Sequence, residues 1–289
     1  MKSAGYNFKA QEESGDIPYK NLYIYYIQGR LKANKNNFSN HFIGNWQEDE
    51  FSFLFFSEPS RTEVEIILSS QPYLTLIDEF YMTYDQWQGE KISSLKIGRF
   101  RIVPPWQRQW KKMKSCLKEL PIILDPGVVF GTGAHTTTHD CLQALEIVFS
   151  REKVKSALDL GTGTGLLALA ASRLGCKSIL AVDFNFLAAS TALRNVHLNR
   201  LEDTVLVVQG RAEDFIDSAS DLVIANIHYD VMQHLVNSRG FLSKKWFILS
   251  GLLRSQARDL LYKLSQNHVR IVKKWERDGI WHTFLGATF

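Results

Sequence analysis

The chain has 289 residues, of which 45% are hydrophobic and 22% are charged. This length exceeds that of one ordinary domain, and the composition excludes wholesale disorder, a collagen-like repeat and a coiled coil. The 34 Lys and Arg residues outnumber the 30 Asp and Glu residues by only four, so nucleic-acid binding is not the default expectation. Three cysteines lie far apart without a CxxC pair, and no apolar run approaches the ~18 residues of a membrane span. The sequence therefore predicts a cytoplasmic protein of two domains, with neither a disulfide framework nor a metal site.

The first part of the chain predicts a small α+β domain. Residues 1–20 are polar and without periodicity, which is typical of a loose tail. Residues 21–90 contain aromatic and β-branched runs and two segments of helical character. The predicted elements are the strands Leu22–Ile27, Phe51–Phe56 and Tyr73–Tyr84 and the helices Asn37–Trp46 and Glu58–Ser70.

The charges of the first domain are unevenly distributed. Residues 48–90 contain ten acids and one base, a net charge of −9. Residues 91–118 contain nine bases and no acid, and with Pro104 and Pro105 they predict a basic linker. The acidic stretch is either an ordinary solvated surface or a docking face for a basic partner protein.

The remainder of the chain, residues 119–289, alternates strand-like and helical segments. Such alternation predicts an open parallel sheet that is covered by helices on both faces. Two final strand-like runs, separated by two residues, predict an antiparallel hairpin at the edge of this sheet. The predicted strands are Ser156–Leu160, Ser178–Asp183, Val205–Gln209, Asp221–Asn226, Trp246–Ser250, His268–Glu276 and Gly279–Phe289, and the predicted helices are Thr136–Phe149, Leu166–Leu174, Phe186–Leu198 and Val231–Phe241.

The strongest local signal is the glycine-rich turn of residues 159–165, DLGTGTG, between a strand and a helix. Glycines permit a tight turn and a close backbone approach, and the following helix offers free N–H groups to an anionic group. Asp183 ends the next strand, at the spacing where a carboxylate accepts hydrogen bonds from ribose hydroxyls. A dinucleotide fingerprint would need glycine where Leu166 stands, so the pattern favours S-adenosylmethionine, with Asp159 near its ammonium group. The alternatives are a turn made for packing alone and a helix-capping role for Asp183.

A longer block connects these signals to a known family. The loop of residues 125–138, DPGVVFGTGAHTTT, leads into a helix that Thr136 or Thr137 could cap. This block, the glycine-rich turn, Asp183 and the Ala225–Ile227 segment closely resemble the ribosomal protein L11 methyltransferase family over roughly residues 85–289. The resemblance implies a class I, seven-stranded Rossmann-like methyltransferase domain, S-adenosylmethionine as cofactor, and an N-terminal ferredoxin-like domain that recognises the substrate protein.

The resemblance also implies positions for the site. The cofactor residues of the family fall on Thr138, Gly161, Asp183 and Asn226, and Gly163 lies in the same turn. Further candidates in the loop that would cover the cofactor are Phe130, Gly131, Thr132, Gly133 and His135.

The implied reaction is methyl transfer to a lysine or α-amino nitrogen of a basic protein, with ribosomal protein L11 as the substrate. The acceptor amine must be neutral, and Asn226 is the residue expected to orient its N–H groups. One alternative is a methyltransferase for a different protein or for a small molecule, which would keep the cofactor residues and differ in the first domain. A second is a non-enzymatic RNA- or ribosome-binding module that uses the basic segment 91–118.

Overall fold

The computed structural model describes residues 17–32, 38–89, 92–107 and 119–289. The chain forms two compact units, the first with Met1–Ser93 and Asn185–Leu187 and the second with Ser94–Phe184 and Ala188–Phe289. Residues 1–16 of the predicted tail and residues 108–118 of the predicted linker lie outside the described residues. Within the described part of the chain, the helices are all too short or too polar to cross a membrane.

The first unit contains a four-stranded antiparallel sheet. Its elements are β1 (Asn21–Gln28), β2 (Phe42–Glu48), β3 (Phe51–Phe56), α1 (Arg61–Ser70), β4 (Thr75–Thr83) and α2 (Tyr84–Gln88). The strand order is β2-β3-β1-β4, and all three pairings are antiparallel. Val64 and Ile67 of α1 are buried in one cluster with side chains of β1 and β3, so the helix covers one face of the sheet.

The sequence predicts β1, β3, β4 and α1 correctly, but the predicted helix Asn37–Trp46 is wrong. The structure has strand β2 there, in register with β3, and Trp46 lies opposite Phe53. Aromatic side chains are favoured in such cross-strand pairs, and this tertiary pairing outweighs the local helical pattern. Residue 37 itself lies outside the described residues.

The second unit begins with a small three-stranded sheet that the sequence does not predict. Its strands are β5 (Leu95–Ile97), β6 (Phe100–Val103) and β7 (Leu120–Ile123), in the order β5-β6-β7. The first two lie within the predicted linker, residues 91–118, so this part of the linker is strand. Phe100 and Ile102 are buried, while Lys96 and Arg101 form ion pairs with Glu119. Lys96 and Arg101, two of the basic residues that favoured a connector, therefore belong to a short strand pair, whereas residues 108–118 lie outside the described residues.

The large sheet of the second unit has the predicted, mostly parallel architecture. Its elements are α3 (Thr136–Arg151), β8 (Ser156–Leu160), α4 (Leu166–Arg173), β9 (Ser178–Asp183), α5 (Phe186–Asn199), β10 (Val205–Gln209), α6 (Ala212–Phe215), β11 (Leu222–Asn226), α7 (Tyr229–Leu235), α8 (Arg239–Leu242), β12 (Trp246–Leu253), α9 (Arg254–Ser265), β13 (Val269–Arg277) and β14 (Trp281–Thr288). The described strands follow the order β10-β9-β8-β11-β12-β14-β13. The first five are parallel, and the C-terminal hairpin adds β14 antiparallel to β12 with β13 at the edge.

Both faces of the large sheet are buried. Successive β8 residues alternate between two apolar clusters, since Ala157 belongs to one and Leu158 to the other. The predicted helix Val231–Phe241 is instead two short helices, α7 and α8, because the Ser238 hydroxyl caps a new helix by accepting from the Phe241 N–H.

The sheet order places a crevice at its centre. The chain runs from β8 outward to β9 and β10, and β11 then pairs with the other side of β8. Ligands of open parallel sheets bind at such a switch point, outside the carboxyl ends of the strands. We call this end of the large sheet the carboxyl edge.

Candidate functional site

The turn after β8 is shaped for close approach of other backbone segments. Gly161 and Gly163 have φ values of +68° and +55°, which disfavour residues with a Cβ atom. A Cβ at Gly163 would lie 2.8 Å from the Phe130 carbonyl oxygen, and a Cβ at Gly161 would overlap with Ile227 Cγ2. The N–H groups of Gly161 and Thr162 donate to the Val182 carbonyl oxygen at 2.8 and 3.0 Å, which fixes the turn to β9.

The buried side chain of Asp159, near the end of β8, is hydrogen-bonded to this turn. Its carboxylate is 1% exposed, and Oδ2 accepts from Thr162 Oγ1 at 2.6 Å and from the Ala168 N–H at 3.1 Å. Burial raises the pKa of Asp159 to about 6, although these two hydrogen bonds oppose the rise. The structure thus places Asp159 Oδ2 against the turn and the start of α4.

Asp183 lies beside the turn because β8 and β9 are paired neighbours. Its Oδ2 accepts from the Gly163 N–H at 2.9 Å, and its side chain is partly exposed. A bond of the helix-capping kind at the start of α5 comes from Asn185, whose Oδ1 accepts from the Leu187 N–H at 3.0 Å. The carboxylate that the sequence singles out therefore faces the glycine-rich turn.

The loop of residues 124–135 lies on the glycine-rich turn and is anchored to it. The Asn195 side chain donates to the Asp125 and Thr164 carbonyl oxygens at 2.8 and 2.9 Å, and Thr164 Oγ1 donates to the Gly131 carbonyl oxygen at 2.7 Å. Gly131 and Gly133 have φ values of +109° and +93°. These bonds hold the loop close to the turn.

The side chains of this loop differ in exposure. Phe130 is 59% exposed, so its ring lies at the rim of the crevice. Thr132 Oγ1 accepts from the Ala134 N–H at 3.2 Å, which closes a local turn. A Cβ at Gly133 would lie 3.0 Å from Ile102 Cδ1, so this glycine allows the loop to approach β6.

The start of α3 differs from the prediction in its cap, and it contains a buried hydroxyl suited to a ligand. The sequence predicts Thr136 or Thr137 as the cap, but the cap is His135, whose side chain accepts from the Thr137 N–H. Thr138 is 3% exposed, and no described atom forms a hydrogen bond with its Oγ1. A buried hydroxyl without a partner costs free energy, so this oxygen is suited to a bound polar group.

Asn226 ends β11 on the opposite side of the crevice from Asp183. It pairs in register with Ser250 of β12, and its Nδ2 donates to Thr137 Oγ1 at 3.4 Å. A Cβ at Gly251, which has a φ of +84°, would lie 3.0 Å from Asn226 Oδ1. Glycine at this position therefore leaves room beside the amide oxygen.

Aromatic rings flank the same region. The His135 ring contacts Phe130 on one side and Trp281 on the other, with centroid distances of 5.5 and 5.2 Å and edge-on geometry. Trp281 reaches this place because β14 is antiparallel to β12 and begins where β12 ends. Three rings from a loop, a helix start and a hairpin thus line one end of the crevice.

The candidate residues of the turn, the strand ends and the loop are thus gathered along the carboxyl edge. Sequence reasoning treated Thr137 only as a capping candidate and did not predict the contacts of Thr137 and Gly251 with Asn226. A run of three threonines, which the structure places in the first turn of α3, was the sequence signal for Thr137. The approach of Gly251 to Asn226 follows from the pairing of β11 with β12, which local patterns do not specify.

The chemistry of this site suits a polar organic ligand. The site combines a glycine-rich turn that a ligand can approach closely, a partly exposed carboxylate, a buried hydroxyl without a partner among the described residues, and an amide. These groups fit a zwitterionic nucleoside. Within the described ranges, no group of three His, Cys, Asp or Glu side chains could hold a metal ion.

Comparisons with a family model and with individual relatives identify the same family. The family model described as "Ribosomal protein L11 methyltransferase (PrmA)" matches residues 82–288. A ribosomal protein L11 methyltransferase of Clostridium perfringens is 34% identical over 193 residues, which cover 66% of this chain and 59% of the relative. One of Anoxybacillus flavithermus is 38% identical over 164 residues, which cover 56% of this chain and 51% of the relative. The chain thus spans between half and three fifths of the length of these two relatives.

A solved structure is also similar. The crystal structure of a ribosomal protein L11 methylase from Lactobacillus delbrueckii subsp. bulgaricus superimposes with a TM-score of 0.57 at 26% sequence identity. The superposition covers 68% of this chain and 99% of that chain.

Proposed function

Because this chain belongs to the ribosomal protein L11 methyltransferase family, we propose that it transfers methyl groups from S-adenosylmethionine to amines of a protein, with ribosomal protein L11 as the substrate. The observation that supports this best is the arrangement at the carboxyl edge. A carboxylate, Asp183, and a glycine-rich turn lie on one side of the crevice, and the amide of Asn226 lies on the other.

The cofactor residues in this proposal divide by the group they bind. Asp183 accepts hydrogen bonds from the ribose hydroxyls, and the glycines of the turn, Gly161 and Gly163, let the amino-acid end of the cofactor approach the backbone closely. Thr138 supplies a buried hydroxyl that has no hydrogen-bond partner among the described residues. When bound, S-adenosylmethionine supplies a methyl group that the sulfonium has already activated. The covering loop contributes Phe130, Gly131, Thr132, Gly133 and His135.

The protein's own contribution to transfer is the position and protonation of the acceptor amine. A lysine or α-amino group reacts only when it is neutral, and a partly desolvated crevice lowers the pKa of such a group. The Asn226 amide oxygen accepts an N–H of the amine and directs its lone pair. The proton that the product nitrogen releases passes to solvent, so no dedicated base is required.

The first unit is the substrate-recognition domain in this proposal. Its strand order β2-β3-β1-β4, with α1 between β3 and β4, supports a ferredoxin-like fold. Glu58, Glu65, Asp78 and Glu79 are exposed, and Arg61 pairs with Glu65 and Glu79. This excess of acidic residues suits a substrate protein with a basic surface. The proposal therefore requires that ribosomal protein L11 presents a basic surface to the first unit.

The function is tested by incubating the protein with radiolabelled S-adenosylmethionine and purified ribosomal protein L11, beside a panel of other ribosomal proteins and a cell extract. We expect label in L11, and much less label with the Asp183→Ala variant when the cofactor concentration is limiting. Label in another band of the extract would identify a different substrate. If calorimetry detects no binding of S-adenosylmethionine, the methyltransferase proposal is wrong and the RNA-binding alternative gains support.

The docking role of the acidic residues has its own test. The variant with Glu63, Glu65, Asp78 and Glu79 all changed to Lys should raise KM for the protein substrate and leave kcat unchanged. The wild type should lose affinity for the substrate as salt increases, because exposed charges are screened. The control is Asp203→Lys, which reverses the charge of an exposed acid just before β10 in the second unit. An unchanged KM in the fourfold variant would remove the docking role.

A further inference from the structure

Three side chains connect the start of α3 to the end of β11. His135 Nδ1 lies 2.7 Å from Thr137 Oγ1, which in turn lies 3.4 Å from Asn226 Nδ2. Thr137 is 1% exposed, whereas His135 and Asn226 are partly exposed toward the crevice. A buried hydroxyl therefore lies between an imidazole and the amide that the proposed function assigns to the acceptor amine.

The direction of these hydrogen bonds follows from one backbone group. The Thr137 N–H donates to His135 Nδ1 at 3.4 Å, and a backbone N–H is always a donor. Nδ1 is therefore the acceptor, so the ring is neutral and carries its proton on Nε2. Thr137 Oγ1 then donates to Nδ1 and keeps its lone pairs for Asn226 Nδ2. Burial and the neighbouring His139 lower the pKa of His135, which favours the same neutral form.

The consequence is a fixed orientation for the Asn226 amide. With Nδ2 directed at Thr137, the oxygen Oδ1 occupies the other position, beside Gly251. An amide oxygen accepts an N–H of an acceptor amine and leaves the nitrogen lone pair available. An amide NH2 in the same place would donate to that lone pair and block it. The orientation of this amide therefore decides whether the amine can react.

We propose that Thr137 and His135 are positioning residues that fix the Asn226 amide with its oxygen toward the methyl acceptor. This inference rests on the proposed function, because it assigns a role to Thr137 in the same reaction. The His135 ring also packs edge-on against Phe130 and Trp281, which limits its movement.

The first test uses the free protein and does not depend on activity. Nitrogen chemical shifts of the His135 imidazole should report a neutral ring with the proton on Nε2 at pH 7.5. The Thr137→Val variant, which has nearly the same shape and no hydroxyl, should shift the Nδ1 signal, and Thr137→Ser should leave it close to the wild-type position. A proton on Nδ1 in the wild type would overturn the inference.

The second test separates positioning from binding in the methyl-transfer assay with ribosomal protein L11. Thr137→Val should lower kcat by ~10- to ~100-fold, because the acceptor is misaligned, and should leave the KM for L11 and the Kd for S-adenosylmethionine unchanged. Thr137→Ser should restore most of the loss. In the Asn226→Ala background, Thr137→Val should have no further effect, because the amide that it positions is gone.

The outcomes distinguish the inference from the function it rests on. A wild-type protein that methylates no protein would contradict the proposed function, and the imidazole shifts would still decide the hydrogen-bond order. An active wild type with an equally active Thr137→Val variant would overturn the inference alone. Equal thermal unfolding of Thr137→Val and Thr137→Ser would exclude misfolding as the cause of a lower kcat.

Discussion

The two halves of the carboxyl edge are built in different ways. The half formed by β8 and β9 presents backbone groups, since its turn is held by Gly161, Gly163 and the Val182 carbonyl oxygen. The half formed by β11 and β12 presents side chains, with Asn226 held by Thr137. Asp183 is the main side chain of the first half, and it too contacts a backbone N–H.

This difference corresponds to two tasks. In the proposed function, a ligand of constant shape is held by a backbone whose geometry does not vary, whereas the reacting amine needs one side-chain oxygen held in a set orientation. The halves meet where Gly161 approaches Ile227, the residue after Asn226. The comparison therefore predicts that changes in the first half weaken cofactor binding and changes in the second lower turnover.

Removal of the Asn226 side chain is the strongest way to break this comparison. Asn226→Ala should lower kcat by ~100- to ~1,000-fold, about 2.7 to 4 kcal/mol of barrier, because the acceptor amine loses its orienting oxygen. The Kd for S-adenosylmethionine should change much less. Steady-state kinetics and calorimetry measure the two effects, with the exposed Asn237→Ala as control. Equal losses in kcat and in affinity would show that the halves are not separate.

The reciprocal change is Asp183→Ala in the first half. It should weaken binding of S-adenosylmethionine by ~2 to 4 kcal/mol, since two charged hydrogen bonds are lost and water compensates in part. At saturating cofactor, kcat should fall far less than in Asn226→Ala. Calorimetry measures the affinity, and the exposed Asp203→Ala provides a matched control. An unchanged affinity would contradict the assignment of Asp183.

The pH dependence of stability tests the first half alone, because the buried Asp159 carboxylate contacts only the turn after β8 and the start of α4. Burial raises the pKa of Asp159 from its ordinary value of 3.8 to about 6 in the folded protein, so the folded state binds the proton more tightly. The stability contribution is thus fully present below pH 3.8 and is lost as the pH rises through about 6, at most about 3 kcal/mol. Asp159→Asn should lack this dependence.

Urea unfolding of the wild type and Asp159→Asn between pH 4 and 7.5 measures this difference. The difference in unfolding free energy, wild type minus variant, should fall as pH rises. A constant difference over this range would mean that Asp159 does not titrate there.

Two glycines with similar φ values give the smallest and most specific test. Gly161 and Gly279 have φ values of +68° and +66°, but only Gly161 has a close neighbour, Ile227, since the space around Gly279 is open. Gly279→Ala should cost ~1 to 2 kcal/mol of stability from backbone strain alone. Gly161→Ala should cost more and should reduce both kcat and cofactor affinity, because it displaces Ile227. Thermal unfolding and kinetics compare the pair, and equal effects would remove the special role of Gly161.

Local patterns predicted the large sheet well, because its strands are continuous apolar runs and its turns contain glycine. They failed where an element is short or depends on a partner. β2 looked helical until its pairing with β3 is considered, and β5 and β6 were hidden by the surrounding basic residues. At the candidate site, the structure places Asp183 beside the glycine-rich turn, as the spacing predicts, whereas the cap of α3 is His135 and not a threonine.

The sequence by itself determined the chemical groups of the site. A glycine-rich turn at the end of a strand and an acid at the end of the next are expected to lie side by side, since consecutive parallel strands usually pair, as β8 and β9 do here. The tertiary structure alone decided which groups face them. Thr137, Asn226 and Gly251 come from a helix start and two strands far apart in the chain, and strand order and register bring them together. Such contacts depend on the packing of whole elements, which no local spacing encodes.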